Sequence, residues 1–522
     1  MNESTHKAWP LIVLVALLVV SALAHGTNMY RFPYYENDEG TYMARAWSFV
    51  TEGELAPTNY TYDHAPAGWI LIALWTVLTG GFFTFGFAIN SGRVLMLILH
   101  LLSAALLYDI ARSQSKNVIA ASVAVLIFSL SPLAVYFQRR VLLDNIMVFW
   151  LLLAVDMVIK DKRKLFHYAI SAIAFGMAVL TKESALFFFP AILYIVVTNS
   201  NEYHRSFAIG SWLTIFLTIV SYYVLLALLK GEFFPSGTPL GGSHPHASLL
   251  ASIGQQTARR GGFFLDPQST FVTFLNEWIR GGEFIEFGDA PLIIGGGIAT
   301  ALALVLSIND QKLRYAVLLL LSYWAFLISG FEISVLYVIP LVPLLALAIA
   351  LSIHRLGETL GGASSGGIAS AILAGALLFP FARYYATQPA NYIMDHTTRQ
   401  IDAVHWIDAN ISDDALLLID NYAFVDLQAE GRVSSKAIDN AYYYWTAETD
   451  SAIRTEILED NWQNVDYILL SPQMVYDAAE EGLALTSDAQ ENSVPVKTFS
   501  NNGWDIEVRE VMVDVSEDTV PK

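Results

Sequence analysis

Apolar runs long enough to cross a lipid bilayer recur along this chain, and few folds can accommodate so many. Trp9–His25, Val141–Ile159 and Phe207–Leu229 each reach or approach the roughly 20 residues a helix needs to span the hydrocarbon core. Hydrophobic residues make up 55% of the 522, and the mean hydropathy is +0.47, far above that of an ordinary soluble enzyme. The chain is therefore read as a polytopic α-helical membrane protein. The first run is read as a retained span, because no small-residue cleavage site follows Ala24-His25-Gly26 and many more runs come after it.

The pattern predicts spans near 9–25, 90–111, 117–136, 141–159, 166–181, 183–199, 206–229, 291–308, 315–330, 334–352 and 367–383, about 11 in all. Lys and Arg in short connections set the orientation. Lys7, Arg112, Lys116, Lys160 to Lys164, Arg205, Lys312, Arg314 and Arg355 fall on alternate turns, which places that side in the cytoplasm. The N-terminus is then inside. The loops 26–89 and 230–290 and the polar tail lie outside the cell membrane.

Charge divides the chain in two. Residues 385–522 hold 26 Asp/Glu against 7 Lys/Arg, and that difference equals the net charge of −19 of the whole chain. The expected domains are thus a membrane domain over 1–384 and an acidic extracytoplasmic domain over 385–522. An acid-rich, lysine-poor surface stays soluble in strong salt and fits a halophilic source. It also argues against nucleic acid as a partner, since phosphate needs a basic face. The absence of cysteine excludes disulfides and thiolate metal sites.

The 26–89 loop has structure of its own. Asn37 can cap a helix from Asp38 to about Thr51, with Met43, Ala46, Trp47 and Val50 on one stripe that would lie flat in the membrane interface. Trp69–Leu78 is apolar but too short to span, so it is read as re-entrant or interfacial. In the Gly-rich 230–290 loop, Phe271–Arg280 reads as a helix with Phe271, Phe274, Leu275 and Trp278 on one side. The tail reads as a small α/β domain. Helices are expected at Ile401–Ile411, Ser451–Asp460 and Met474–Glu481, and strands at Ala415–Ile419, Tyr467–Leu470, Val494–Ser500 and Trp504–Val513. Two sequons, Asn59-Tyr-Thr61 and Asn410-Ile-Ser412, fall on the expected outer side.

Several polar residues sit at the outer ends of spans. Asp38 and Glu39 either favour a helix macrodipole or take the proton of an acceptor hydroxyl. Asp144 opens the fourth span, where a charge normally faces a cavity or a partner. It either pairs with Arg140 four residues back or lines an outer cavity, with Arg139 or Arg140 facing anionic headgroups. Lys182 lies on the outer side against the positive-inside bias, so Glu183, a lipid phosphate or another anion should hold it. Tyr337 precedes Pro340 and Pro343 and also fits an interfacial belt. Arg93 can snorkel, and His64 can be an ordinary loop residue. Glu332 has no evident role. His244-Pro-His246 is a weak ligand pair, and no metal, P-loop or dinucleotide motif stands out.

Taken in order, Asp38-Glu39, His64-Ala-Pro-Ala-Gly68, Arg93, Leu143-Asp144, Thr181-Lys182 and Tyr337-Val-Ile-Pro340-Leu-Val-Pro343 resemble the GT-C membrane glycosyltransferases. The nearest branch looks like the protein O-mannosyltransferase and lipid A aminoarabinose transferase superfamily, glycosyltransferase family 39-like and of archaeal type. The resemblance covers about residues 9–350. It implies a GT-C-like fold and inverting transfer of a sugar, a hexose such as mannose, from a polyprenyl- or dolichyl-phosphate donor. Asp38, Glu39 and Asp144 would then be catalytic. Arg93, Arg140, Lys182 and Tyr337 would bind the donor phosphate, with Arg259, Arg260 or Arg280 closing over it, and His64 would position the loop or the acceptor. The family's His-Pro-Pro-Leu-Gly-Lys reads here as His64-Ala-Pro-Ala-Gly-Trp69, and the sugar-binding repeat of eukaryotic protein mannosyltransferases is missing. The acceptor is thus left open among glycan, lipid and protein. The lack of the oligosaccharyltransferase Trp-Trp-Asp motif argues against transfer of a whole glycan. No cofactor is specified, and a divalent cation is left open. The rival readings are a lipid-linked-sugar flippase or transporter and a non-catalytic homologue.

Overall fold

A computed structural model of the protein describes residues 3–160, 164–243, 247–282, 284–428, 438–500 and 505–512. The chain forms two compact units that interleave in sequence rather than following one another across residue 384. A helical unit comprises Met1–Met29, Thr61–Gly68 and Val94–Met394, and a loop-and-sheet unit comprises Tyr30–Tyr60, Trp69–Arg93 and Asp395–Lys522. His244 and His246 lie outside the described residues.

The first eight helices are α1 (Glu3–Gly26), α2 (Asn37–Thr51), α3 (Ala67–Thr79), α4 (Ala88–Ser115), α5 (Val118–Leu130), α6 (Pro132–Gln138), α7 (Leu143–Ile159) and α8 (Leu165–Thr181). Each of the 11 apolar runs expected from the sequence is helical, with its ends displaced by a few residues. Among the described residues, five helices are long and apolar enough to cross a membrane: Ala8–Gly26, Ala88–Ser115, Glu202–Leu229, Val335–Gly361 and Ile368–Ala386. Helices α5 and α6 make a sixth if they count as one span bent by 60°. The bend falls at Ser131-Pro132, where proline has no N–H to continue the ladder and the Ser131 hydroxyl accepts from the Ala134 amide. Shorter apolar helices cover Ala67–Thr79, Leu165–Thr181, Glu183–Asn199 and Ala290–Leu306.

The helical run Leu341–Ala386 turns back on itself. Ser370 Oγ donates to the His354 carbonyl, and a Cβ on Gly357 would come within 2.6 Å of the Ser370 backbone. Two helical arms therefore pack side by side, as expected for spans near 334–352 and 367–383.

Arg139 corrects an expectation. Its guanidinium is buried and donates to the carbonyls of Ala24, His25 and Thr27 at the end of α1 and to that of Asn391. Helix C-termini leave carbonyls unsatisfied, and the planar fork of arginine serves several at once. Arg139 is therefore committed to capping α1, not to lipid headgroups.

The loop-and-sheet unit is built on five strands, β1 (Leu417–Ile419), β2 (Ala441–Tyr443), β3 (Tyr467–Leu470), β4 (Ser493–Phe499) and β5 (Ile506–Val511), in the order β2-β1-β3-β5-β4. β2, β1 and β3 run parallel, and β5 and β4 close the edge antiparallel. Helices Thr397–Asn410 and Pro472–Glu480 match two of the three expected, the third, Ser451–Asp460, is a short π-helix over Ala452–Ile457, and β2 and the helix Ala484–Glu491 are additional. Leu418, Ile468, Leu470, Met474, Ala478 and Val511 contribute to the buried core.

Helix α2 belongs to this unit, and it too departs from expectation. It does not lie as a one-sided amphipathic helix. Tyr42, Met43, Ala44, Arg45 and Ala46 are all buried, while Val50 is exposed. A Cβ on Gly40 would meet the Asn421 carbonyl oxygen at 2.2 Å, so only glycine permits that approach. The N-cap is Glu36, whose amide donates to Glu39 Oε2 at 3.3 Å. Asn37 is not the cap, because its amide group is held by Tyr444 instead.

Candidate functional site

In the helical unit, Asp144 stands in the first turn of α7, where the helix dipole favours a carboxylate. Lys182 follows the last residue of α8 and donates from Nζ to Asp144 Oδ2 at 2.7 Å. Both side chains are almost fully buried, 6% and 1% exposed. Asp144 Oδ1 has no hydrogen-bond partner among the described residues. The Lys182 ammonium also lies 5.6 Å from the centre of the Tyr337 ring. The expected Arg140–Asp144 pair is not formed, because the chain breaks between α6 and α7 and the two residues do not share a helix.

Glu183 does not hold Lys182 in an ion pair. It reaches the other way, taking His64 Nδ1 at 2.9 Å on Oε2 and the Ala65 amide at 2.7 Å on Oε1. Burial pulls the His64 pKa down, but the charge and hydrogen bond of Glu183 outweigh it and raise the group above its ordinary 6.5. Gly68 ends the same loop. A Cβ there would strike Leu143 Cδ2 at 2.3 Å and Thr181 Cγ2 at 3.2 Å, which explains glycine at the close of the His64-Ala-Pro-Ala-Gly68 segment. One short loop thus packs against the residues preceding both Asp144 and Lys182.

Arg140 is buried in the break between α6 and α7. It donates to the Tyr136 hydroxyl at 2.9 Å and lies 4.3 Å over that ring. Glu286 is close enough to feel it. Burial pushes that carboxyl up to about 6, and Arg140 pulls it the other way. In the 230–290 loop, Arg259 faces Glu332 at 3.9 Å, Arg260 donates to the Thr257 carbonyl, and a backbone bridge from Arg260 to Phe331 ties this loop to residues 330–333.

The loop-and-sheet unit holds Asp38, Glu39 and Arg93. Glu39 and Arg93 form a fully buried fork, Nε to Oε1 at 2.9 Å and Nη2 to Oε2 at 2.7 Å. Arg93 also donates to the carbonyls of Pro33 and Tyr34 and lies 4.6 Å over the Tyr35 ring. A guanidinium so engaged organises the loop before α2 and leaves Asp38 as the half-buried acid of the pair. Asp38 raises the pKa of Asp477 alongside the larger effect of burial, so the two carboxylates are within electrostatic reach. Asn37 donates to the Tyr444 hydroxyl at 2.6 Å, and that hydroxyl donates to Asp477 at 2.5 Å. Sequence reasoning missed Tyr444 and Asp477, which lie more than 400 positions from Asn37 in no recognised motif. The aromatic run Ala441-Tyr-Tyr-Tyr-Trp445 was the available signal. Among the described residues, no group of three or more His, Asp or Glu side chains is arranged to hold a metal ion.

Residues 63–226 match the family model described as dolichyl-phosphate-mannose-protein mannosyltransferase. The matched stretch contains His64, Arg93, Arg140, Asp144 and Lys182. The chain also superposes on ArnT from Cupriavidus metallidurans, solved bound to undecaprenyl phosphate, with a TM-score of 0.60 at 13% identity, covering 99% of this chain and 100% of that one. The Archaeoglobus fulgidus oligosaccharyltransferase, solved with a tethered acceptor peptide, aligns with a TM-score of 0.53 at 14% identity, over 98% of this chain and 75% of that one. The fold is the GT-C fold of membrane glycosyltransferases. No curated protein sequence matches the chain significantly. Asp144 stands at the start of α7 and Lys182 just past the end of α8, the next helix along the chain.

Proposed function

We propose that the protein is an integral membrane glycosyltransferase that moves a hexose such as mannose from a polyprenyl- or dolichyl-phosphate donor to an extracytoplasmic acceptor, with inversion. The observation that carries this reading is the buried Lys182–Asp144 pair beside Tyr337, at the ends of α7 and α8. A buried ammonium presents charge to a leaving phosphate without reorganisation. One such preorganised donor contributes on the order of 2.7–4 kcal/mol where charge develops. Asp144 holds the ammonium in place, Tyr337 bounds it, and the His64–Glu183 contact fixes the loop beside it.

Asp38 is the proposed base. In the displacement, the acceptor oxygen bonds to the anomeric carbon, the bond to the phosphate oxygen breaks with its electron pair, and the hydroxyl proton passes to the Asp38 carboxylate. Glu39 and Arg93 position that acid through the loop before α2, a different role from direct contact with acceptor or phosphate. Arg140 is assigned a similar positioning role through Tyr136. The base and the acidic tail are proposed to face the cell exterior.

The test is in vitro transfer from a panel of polyprenyl-phosphate sugars, at low and molar salt. Asp38→Asn should retain donor binding and lose about 10²–10⁴ in transfer rate. Lys182→Ala should weaken donor use. Transfer by Asp38→Asn at the wild-type rate sinks the assignment.

A further inference from the structure

The acid next to Asn37 does not stand in an empty setting. Around the start of α2 the loop-and-sheet unit assembles Glu36, Asn37, Asp38, Asp420, Tyr443, Tyr444 and Asp477. Buried Asn37 donates to Tyr444 Oη, and Tyr444 donates to Asp477. Buried Asp420 accepts from Ser471 Oγ at 2.5 Å and lies within electrostatic reach of Asp477 and Glu36. Two oxygens in this group have no donor among the described residues. They are Asn37 Oδ1, in a residue 8% exposed, and Asp420 Oδ1, in a residue 2% exposed. A buried acceptor left unmet costs about 1–3 kcal/mol, so a native structure that keeps two in one cluster has a use for them. Glu36, Asp38, Tyr443 and Asp477 are only partly buried, which leaves the cluster open to a ligand.

The chemistry of these groups narrows the ligand. Four carboxylates repel an anion, so neither a phosphate nor an acidic peptide fits. Several acceptor oxygens in one cluster call for several hydroxyl donors on one small body, as vicinal sugar hydroxyls provide. Tyr443, partly exposed and within electrostatic reach of Asp38, Asp420 and Asp477, offers an aromatic face for the apolar side of a pyranose. Resting on the proposal that Asp38 is the base, we infer that residues of the C-terminal domain, Asp420, Tyr444 and Asp477, form with Asn37 a saccharide-binding acceptor subsite. The acceptor is accordingly a glycan hydroxyl rather than a serine or threonine of a protein.

The experiment uses the full-length protein in nanodiscs, with methyl hexosides and a Ser/Thr-containing peptide as probe acceptors. Saturation-transfer NMR reads saccharide binding without any donor. Steady-state transfer from polyprenyl-phosphate mannose, glucose and aminoarabinose reads acceptor KM, donor KM and the slow transfer to water. Asp477→Asn, Asp420→Asn and Tyr444→Phe are compared with wild type, each checked for an unchanged unfolding midpoint. Tyr444→Phe removes one hydroxyl and serves if a carboxylate variant fails to fold. The expected result is saccharide binding in wild type and a tenfold or greater rise in saccharide KM in the variants, with donor KM and transfer to water within twofold. Unchanged saccharide KM in folded variants, or transfer to the peptide alone, overturns the subsite and leaves the transferase reading standing. Saccharide binding that the variants lose, with no transfer from any donor, keeps the subsite and overturns the transferase reading.

Discussion

Removing either member of the Lys182–Asp144 pair should destabilise the helical unit sharply. At 2.7 Å, two unit charges attract by about 6 kcal/mol at an effective dielectric of ~20, much of which offsets their desolvation. The pair as a whole is therefore nearly neutral for stability, but each half alone is not. Lys182→Met leaves a carboxylate 1% exposed, and Asp144→Leu leaves an ammonium 6% exposed. Each single variant should lose about 3–5 kcal/mol, as other buried pairs do when one partner is removed. The double variant should recover to within about 1–2 kcal/mol of wild type, because no charge then remains buried without a partner. Denaturant unfolding in detergent, followed by tryptophan fluorescence, gives the three values of the cycle. Transfer measured on the same samples separates stability from chemistry, since Lys182→Met and the double variant should both stay about 10²–10³-fold slow. Single variants within about 1 kcal/mol of wild type would show that water reaches the pair, and the account of a dry, preorganised cation would fail.

Three further outcomes follow from other contacts. Gly68→Ala should cost about 1–3 kcal/mol through overpacking against Leu143 and Thr181, read as a lower unfolding midpoint. Gly40→Ala should be worse, since its new Cβ meets the backbone of Asn421, which cannot rotate away as a side chain can. His64 should make stability depend on pH. Its folded pKa is raised above 6.5, so its contribution is complete below about 6.5 and is lost as pH rises through the higher folded value. Glu183→Gln should flatten that dependence in unfolding curves taken from pH 5 to 9, and an unchanged slope would contradict the pairing.

Much of this molecule was legible in its residues because two signals survive without tertiary information. Hydrophobic run length reports burial in lipid or protein, and it located the long apolar helices, though not Leu249–Ala258 in the 230–290 loop. Short apolar runs bounded by turn residues likewise located four of the five strands among the described residues of the tail. The end of α8 was also legible to within a residue, whereas α2 was expected to be capped by Asn37 and is capped by Glu36. What could not be read was pairing. Glu183 lies next to Lys182 in sequence, yet the chain direction after α8 turns it toward His64, while Asp144, 38 residues earlier, takes the ammonium.

The sequence by itself determined that this chain enters a membrane, where its helices run, and which acids and cations stand at their ends. Those follow from the local cost of moving polar groups into lipid, a sum over neighbouring residues. Tertiary structure alone decided that Glu39 spends its charge on Arg93, that Arg139 closes α1, and that Asn37 meets Tyr444 across more than 400 positions. Each of those depends on where distant backbone comes to rest, and a hydrogen bond a few tenths of an ångström long or short changes the partner without leaving any trace in residue order.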